Sequence, residues 1–387
     1  MTRPLRLAAV LVALASLHAR PAHATPPDLL APDTETLIQM PTGFAALAVE
    51  QEAGVDIAPA ARALQRVLDA VDPPPPSAAP RDVLGAVAEA VSLACPELST
   101  DLGSGLISAA LARGRCDCDV LVTAYLTVAD VFGWPLSAVF MPSHAMVLWD
   151  DGRQRVFWET TVPEERPEWL VASLVAGRGA QAALHPQTRR EMVGYFVQLR
   201  ASHFVDQGEM ARGIADYDRA AALTPTLGLT FSNRGRAHLL TGDFRAALAD
   251  FDRALALDPA FSDALYGRGL AQIALGRPAD ALASLAAVTA LEGVVADVLH
   301  AEGLAYQALG QDAVALERFD ASLRAAPNVL VYEARGALHE QAGNLGAARD
   351  DYAACLRLAT GPEHEALARE VRQRLARLTT EAPATRS

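Results

Sequence analysis

The chain has 387 residues, a hydrophobic fraction of 51% and a formal net charge of −13. That length allows two or three domains with separate cores, and that composition excludes a disordered chain. The acidic balance, with no long basic run, excludes the electrostatic footprint of a nucleic-acid binder or of a protein drawn to an anionic membrane surface.

In chain order, the first 24 residues read as a secretory signal. Arg3 and Arg6 give a basic start, Leu7 to Leu17 is an apolar run, and Ala22-His-Ala24 supplies the small residues a signal peptidase needs. The run is short for a membrane span. Cleavage after Ala24 and an exported, periplasmic protein without a later span are therefore expected. Residues 25–43 read as a flexible leader. Phe44 to Val71 carries helical periodicity, Pro73 to Pro76 reads as a stiff connection, and 81–95 and 102–113 are helix-prone.

From 119 to 132, Val120, Leu121, Ala124, Tyr125, Val128 and Val131 mark a buried helix that Gly133-Trp-Pro135 stops. Val139 to Trp149 and Arg155 to Thr161 read as strands, joined through the hairpin signal Asp150-Asp-Gly-Arg153. With Asp151-Gly152 as a two-residue loop, Asp150 faces Arg153 and His144 faces Glu159. Directly opposed side chains have Cβ atoms about 4.5–5.5 Å apart on one face, which brings a carboxylate to an imidazole ring.

The remainder is periodic. Small residues recur at Ala201, Gly235, Gly269, Gly303 and Gly336, with gaps of 34, 34, 34 and 33 residues. Twelve residues on stand Gly213, Ala247, Ala281, Ala315 and Ala348; four further on stand Tyr217, Phe251, Leu285, Phe319 and Tyr352. Small residues let paired helices approach, and the bulky residue fills the space beside them. This pattern resembles the tetratricopeptide repeat (TPR), a two-helix unit of about 34 residues. Five units span 194–360, and 361–387 reads as a solvating cap helix and a tail. Arg200, Arg234, Arg268 and Arg335 precede the small residue and invite a ligand-groove reading. Sixteen residues on, however, stand Asp216, Asp250, Ser284 and Asp351, and in the fourth unit Glu302 and Arg318 exchange signs together. That exchange points to ion pairs within each repeat, which if exposed contribute only about 0–1 kcal/mol each.

Cys118, His144 and Glu159 are the candidate catalytic residues. A thiol is a nucleophile only as thiolate; Cys118 stands where a helix begins, and helix-start amides favour an anion and can supply part of an oxyanion hole. His144 would serve as base and Glu159 would orient it. Other readings remain: Cys116 and Cys118 as structural or redox cysteines, His144 as a core histidine, Glu159 as a solvent-facing strand residue. If Cys118 stays reduced, Cys95 and Cys116 are the best remaining pair for a disulfide.

The stretch Cys118 to Thr161 resembles the transglutaminase-like superfamily of papain-type cysteine enzymes. Gly133 lies fifteen residues after Cys118, within Phe132-Gly-Trp-Pro135. Tyr125 falls on the family's helix tyrosine, Pro142-Ser-His144 precedes an apolar strand, and Trp158-Glu-Thr-Thr161 matches the acid segment. The third member here is glutamate where the family more commonly has aspartate. The resemblance implies an α+β transglutaminase-like domain over 44–190, followed by an all-α TPR solenoid. It implies acyl transfer on an amide or peptide substrate without metal or organic cofactor. The alternative is a catalytically silent first domain in a scaffold whose concave repeat face binds a protein or peptide.

Overall fold

The computed structural model describes residues 33–75, 77–99, 106–141, 144–168, 171, 185–361 and 364–380. The expected signal segment, residues 1–24, lies outside the described residues. The chain divides into two compact units, residues 1–237 with 256–259, and residues 238–255 with 260–387.

In the first unit, helix α1 (Thr34–Gln39) starts where the Asp33 carboxylate accepts a hydrogen bond from the Thr36 amide at 2.7 Å. It buries Leu37 fully. Within the leader expected to be flexible over 25–43, residues 34–39 and 42–43 are helical, the first stretch held by its cap and a buried leucine. Helices α2 (Thr42–Gln51) and α3 (Ala58–Ala70) divide the expected helical run, and Gly54 at φ 84° lies between them. Then come α4 (Pro80–Ser92), α5 (Ile107–Arg113) and α6 (Cys118–Phe132). Helix α2 is mostly apolar and buried on every side, and its one buried carboxylate, Glu50, accepts from the amides of Ile107 and Ser108. A Cβ added at Gly43 would lie 2.4 Å from Thr127 Oγ1, so α2 and α6 meet nearly backbone to backbone. A short parallel pair, β1 (Glu97–Leu98) and β2 (Arg115–Cys116), ends in a disulfide between Cys95 and Cys116. The pair expected from the sequence is the one that forms.

The sheet is an antiparallel meander of four strands in order: β3 (Leu136–Met141), β4 (His144–Asp150), β5 (Arg155–Glu159) and β6 (Glu164–Arg166). The single strand expected over 139–149 is two strands, paired from Leu136↔Trp149 to Met141↔His144. The residues that join them, 142 and 143, lie outside the described residues.

The α+β fold class with a transglutaminase-like first domain is corrected by this architecture. Seventeen described helices carry the chain, against four meander strands of 3 to 7 residues and one two-stranded pair. The fold is mainly α. Helices α2 to α7 supply most of the first unit's core, to which the sheet adds one face through Val147, Trp149, Val156 and Trp158. Among the described residues, its other face holds a small cluster of Val139, Met146, Leu148, Phe157 and Val171. The sheet is an appendage of a helical core.

Helix α7 (Arg189–Asp206) opens with a capping box between Thr188 and Glu191 and pairs with α8 (Met210–Leu223). Arg200 of α7 is 5% exposed and donates to both oxygens of Asp216 on α8, to Glu52, and to the Val49 carbonyl of α2. The next pair is α9 (Gly228–Thr241) and α10 (Phe244–Leu257), within which the two units divide.

The second unit continues with α11 (Ser262–Ala274), α12 (Pro278–Glu292), α13 (Ala296–Ala308), α14 (Asp312–Ala325), α15 (Val329–Gln341) and α16 (Leu345–Leu358). Helix α17 (Glu365–Thr380) covers the last pair with Val371 and Leu378. The small positions are small because of their bulky partners: a Cβ at Gly303 would lie 2.4 Å from the Phe319 ring.

The charge ladder resolves into ion pairs. Arg335 donates to both oxygens of Asp351, and Arg318 lies 3.6 Å from Glu302. Arg268 reaches the Ser284 hydroxyl at 3.0 Å. The arginines also reach backward, Arg234 to Asp218, Arg268 to Asp252 and Arg335 to Asp320. They therefore link three helices rather than two. The acids are less exposed than the sequence alone suggests, with Asp250 at 6% and Asp351 at 4%.

Candidate functional site

The first turn of α6 is fixed by Asp117, whose carboxylate accepts from the Val120 amide at 3.1 Å. Cys118 is the first helical residue and is half-buried. His144 opens β4 and Glu159 closes β5, so two strand ends meet one helix start. The Trp158 indole donates to the Tyr125 hydroxyl at 3.1 Å and ties β5 to α6. Gly133, at φ 76°, ends α6 where the sequence places its stop.

The hairpin register differs from the one expected. Asp150 pairs with Arg155 and Val147 with Trp158, so the loop holds four residues, 151–154, and the pairing is displaced by two. Asp151 decides this: its carboxylate accepts from the amides of Arg153 at 2.8 Å and Gln154 at 2.9 Å, a side-chain-built turn wider than two residues. A displacement of one would have thrown the side chains to opposite faces; two keeps them on the same face. His144 and Glu159 are accordingly diagonal neighbours rather than directly opposed. The His144 Nε2–H still donates to Glu159 Oε2 at 2.7 Å.

The other Glu159 oxygen accepts from the Thr161 amide at 3.0 Å and the Thr161 hydroxyl at 2.8 Å. Burial opposes the Glu159 charge, but the hydrogen bonds from His144 and Thr161 outweigh it and bring the carboxyl down to about 2. A hydrogen bond with Cys118 and the Glu159 carboxylate raise His144 to about 10. With Nε2 given to Glu159, Nδ1 is the ring nitrogen left for the sulfur. His144 thus bonds Glu159 directly and lies near enough to Cys118 for the sulfur to act on the charge of its ring.

Two neighbours have no place in the sequence reading. The Cys118 thiol donates to Asp119 Oδ1 at 3.8 Å, and the Tyr195 hydroxyl of α7 donates to Asp119 Oδ2. Burial lifts Asp119 to about 6, although the Tyr195 hydrogen bond pulls the other way. Asp119 carries a faint sequence signal, an acid among the apolar residues that open α6. Tyr195 carries none, since it lies 76 residues away. Cys355, the other free cysteine, sits on α16 within the core, and burial pushes its thiol up to about 11. Among the described residues, no group of three His, Cys, Asp or Glu side chains is arranged to hold a metal ion.

Residues 232–293 match the tetratricopeptide repeat family model. The matched segment runs from within α9 to just past the end of α12. A thermophilic TPR protein of Thermus thermophilus is 19% identical over 48% of this chain and 99% of its own, with a TM-score of 0.42. PilW, a type IV pilus biogenesis factor, is 18% identical over 49% of this chain and 87% of its own, with a TM-score of 0.43. The first TPR of Spaghetti (RPAP3), solved with the HSP90 peptide SRMEEVD, is 23% identical over 30% of this chain and 93% of its own, with a TM-score of 0.30. No curated protein matches this sequence.

Proposed function

We propose that this protein is a TPR scaffold that binds a segment of a partner protein along the first helices of its repeats. The observation that carries this reading is the repeat itself: five consecutive helix pairs with small-to-large packing, whose arginine ladder is spent on ion pairs between helices and not on a ligand. The partner-facing positions are then the half-exposed side chains of first helices, such as Tyr266 and Leu304. A photo-crosslinking residue at 266 or 304 in the full chain should capture one discrete partner, while Ala283 and Glu317, exposed on second helices, should not. Equal capture from both sets would overturn the reading. The Cys95–Cys116 disulfide supports an exported protein, since such bonds persist in oxidising compartments; a mature N-terminus elsewhere than after Ala24 would count against the expected leader.

A second reading rests on the hydrogen bond between His144 and Glu159 and on the nearness of Cys118 to that imidazole. In it, the Cys118 thiolate attacks the carbonyl carbon of an amide or ester and forms a thioester. His144 gives its proton to the leaving amine or alcohol, and water or a second amine then releases the acyl group. Glu159 holds the ring and its charge. Iodoacetamide should alkylate Cys118 far faster than Cys355 near neutral pH, and His144→Gln should abolish that advantage. A Cys118 rate unaffected by His144→Gln would leave the scaffold reading alone.

A further inference from the structure

We propose that Asp119, held by Tyr195, is a positioning residue of the Cys118 site that orients the sulfur and opposes its ionisation. This inference rests on reading Cys118, His144 and Glu159 as a reactive site. The geometry carries it. Asp119 directs one oxygen to the thiol and the other to the Tyr195 hydroxyl, so its carboxyl is fixed from both ends. Tyr195 is buried, and its ring is packed at 4.5 Å between centroids against Phe140 of β3. Every charged or titratable group acting on Asp119 is accounted for: Asp117 and Cys118 beside it, His144 on β4, and Tyr195 on α7. Only His144 among them is a cation, and it is already bonded to Glu159.

An ionised carboxylate next to the sulfur has a clear physical effect. It accepts a hydrogen bond from the S–H group and so stabilises the thiol, and it repels the thiolate at short range in a half-dry site. Protonating Asp119 removes that repulsion. Cys118 reactivity should therefore respond to a group titrating near pH 6 that is neither the thiol nor His144. Tyr195 belongs to the first helix of the repeat array, so the site is complete only with that helix in place.

The experiment is the pH profile of Cys118 alkylation by iodoacetamide in the full, oxidised chain, read peptide by peptide with Cys355 as the internal reference. The wild type should show an inflection near pH 6. Asp119→Asn should remove it and speed alkylation at pH 7 by about tenfold, the effect of one unit of coupling. Tyr195→Phe should keep the inflection but move it to higher pH, because the lost hydroxyl no longer supports the charged form. A structural defect alone would not move a titration in this way, and circular dichroism identifies a variant that has not folded. Superimposable profiles for wild type, Asp119→Asn and Tyr195→Phe would overturn the proposal. Failure of the acyl-transfer reading shows in a different arm, the loss of any effect of His144→Gln, and the Asp119 inflection is still read on the same sulfur.

Discussion

At the scale of single residues, the behaviour of the site is set by one imidazole held between a sulfur and a carboxylate. His144 is raised from 6.5 to about 10, so its stabilisation of the fold is fully present below pH 6.5 and is lost as pH climbs through 10. Glu159 is lowered to about 2 from an ordinary value of 4.5, so its contribution is present above pH 4.5 and is lost as pH falls towards 2. The melting temperature of His144→Gln should therefore lie furthest below the wild type near pH 6, and the gap should narrow at pH 10. A gap independent of pH would mean that the imidazole contributes only by packing. These three residues are legible in the sequence because helix start, hairpin and helix stop lie within 45 residues of one another. Asp119 and Tyr195 are not, because a contact between residues 76 apart leaves no local pattern.

At the scale of elements, the same physics explains a miss that does little damage and a ladder that is stronger than expected. The sequence places the hairpin at the right residues but with too short a loop, because the capacity of Asp151 to bond two amides outweighs the preference of Asp-Gly for a two-residue turn. The site survives because the error is even. The arginines do join helices within a repeat, yet they bury their acids and bridge backward as well. Arg200 is the strongest case, with a carboxylate on each side and a backbone carbonyl to fill its remaining donor. Replacing Arg200 by Met should cost about 3–5 kcal/mol, since it strands Asp216 in a nearly dry setting and leaves Glu52 with Arg219 alone among the arginines that bond it. Converting Asp216 to Leu in the same chain should recover part of that loss. Urea unfolding of the single and double variants decides it, and a loss under 1 kcal/mol for Arg200→Met would show the cluster to be screened by water.

At the scale of the whole molecule, the disulfide is the one covalent link between distant parts of the first unit. It joins residues 21 apart, and closing a loop of that size restricts the unfolded chain enough to stabilise by about 3 kcal/mol. Cys95→Ser with Cys116→Ser should lower stability by about that amount and leave Cys118 free to label; an unchanged urea midpoint would show that reduced chains fold equally well. The sequence by itself determined the repeats, the cap helix, the start and stop of α6, and the meeting of His144 with Glu159. All of these arise from periodic or local signals, where each residue's preference is expressed within a turn or two of chain. Tertiary structure alone decided that the first unit is built on helices with a small sheet attached, that α2 runs through its middle, and that the Tyr195 hydroxyl reaches Asp119 beside Cys118. Those outcomes depend on which faces bury against which, and burial is a property of surfaces that meet only after the chain has folded.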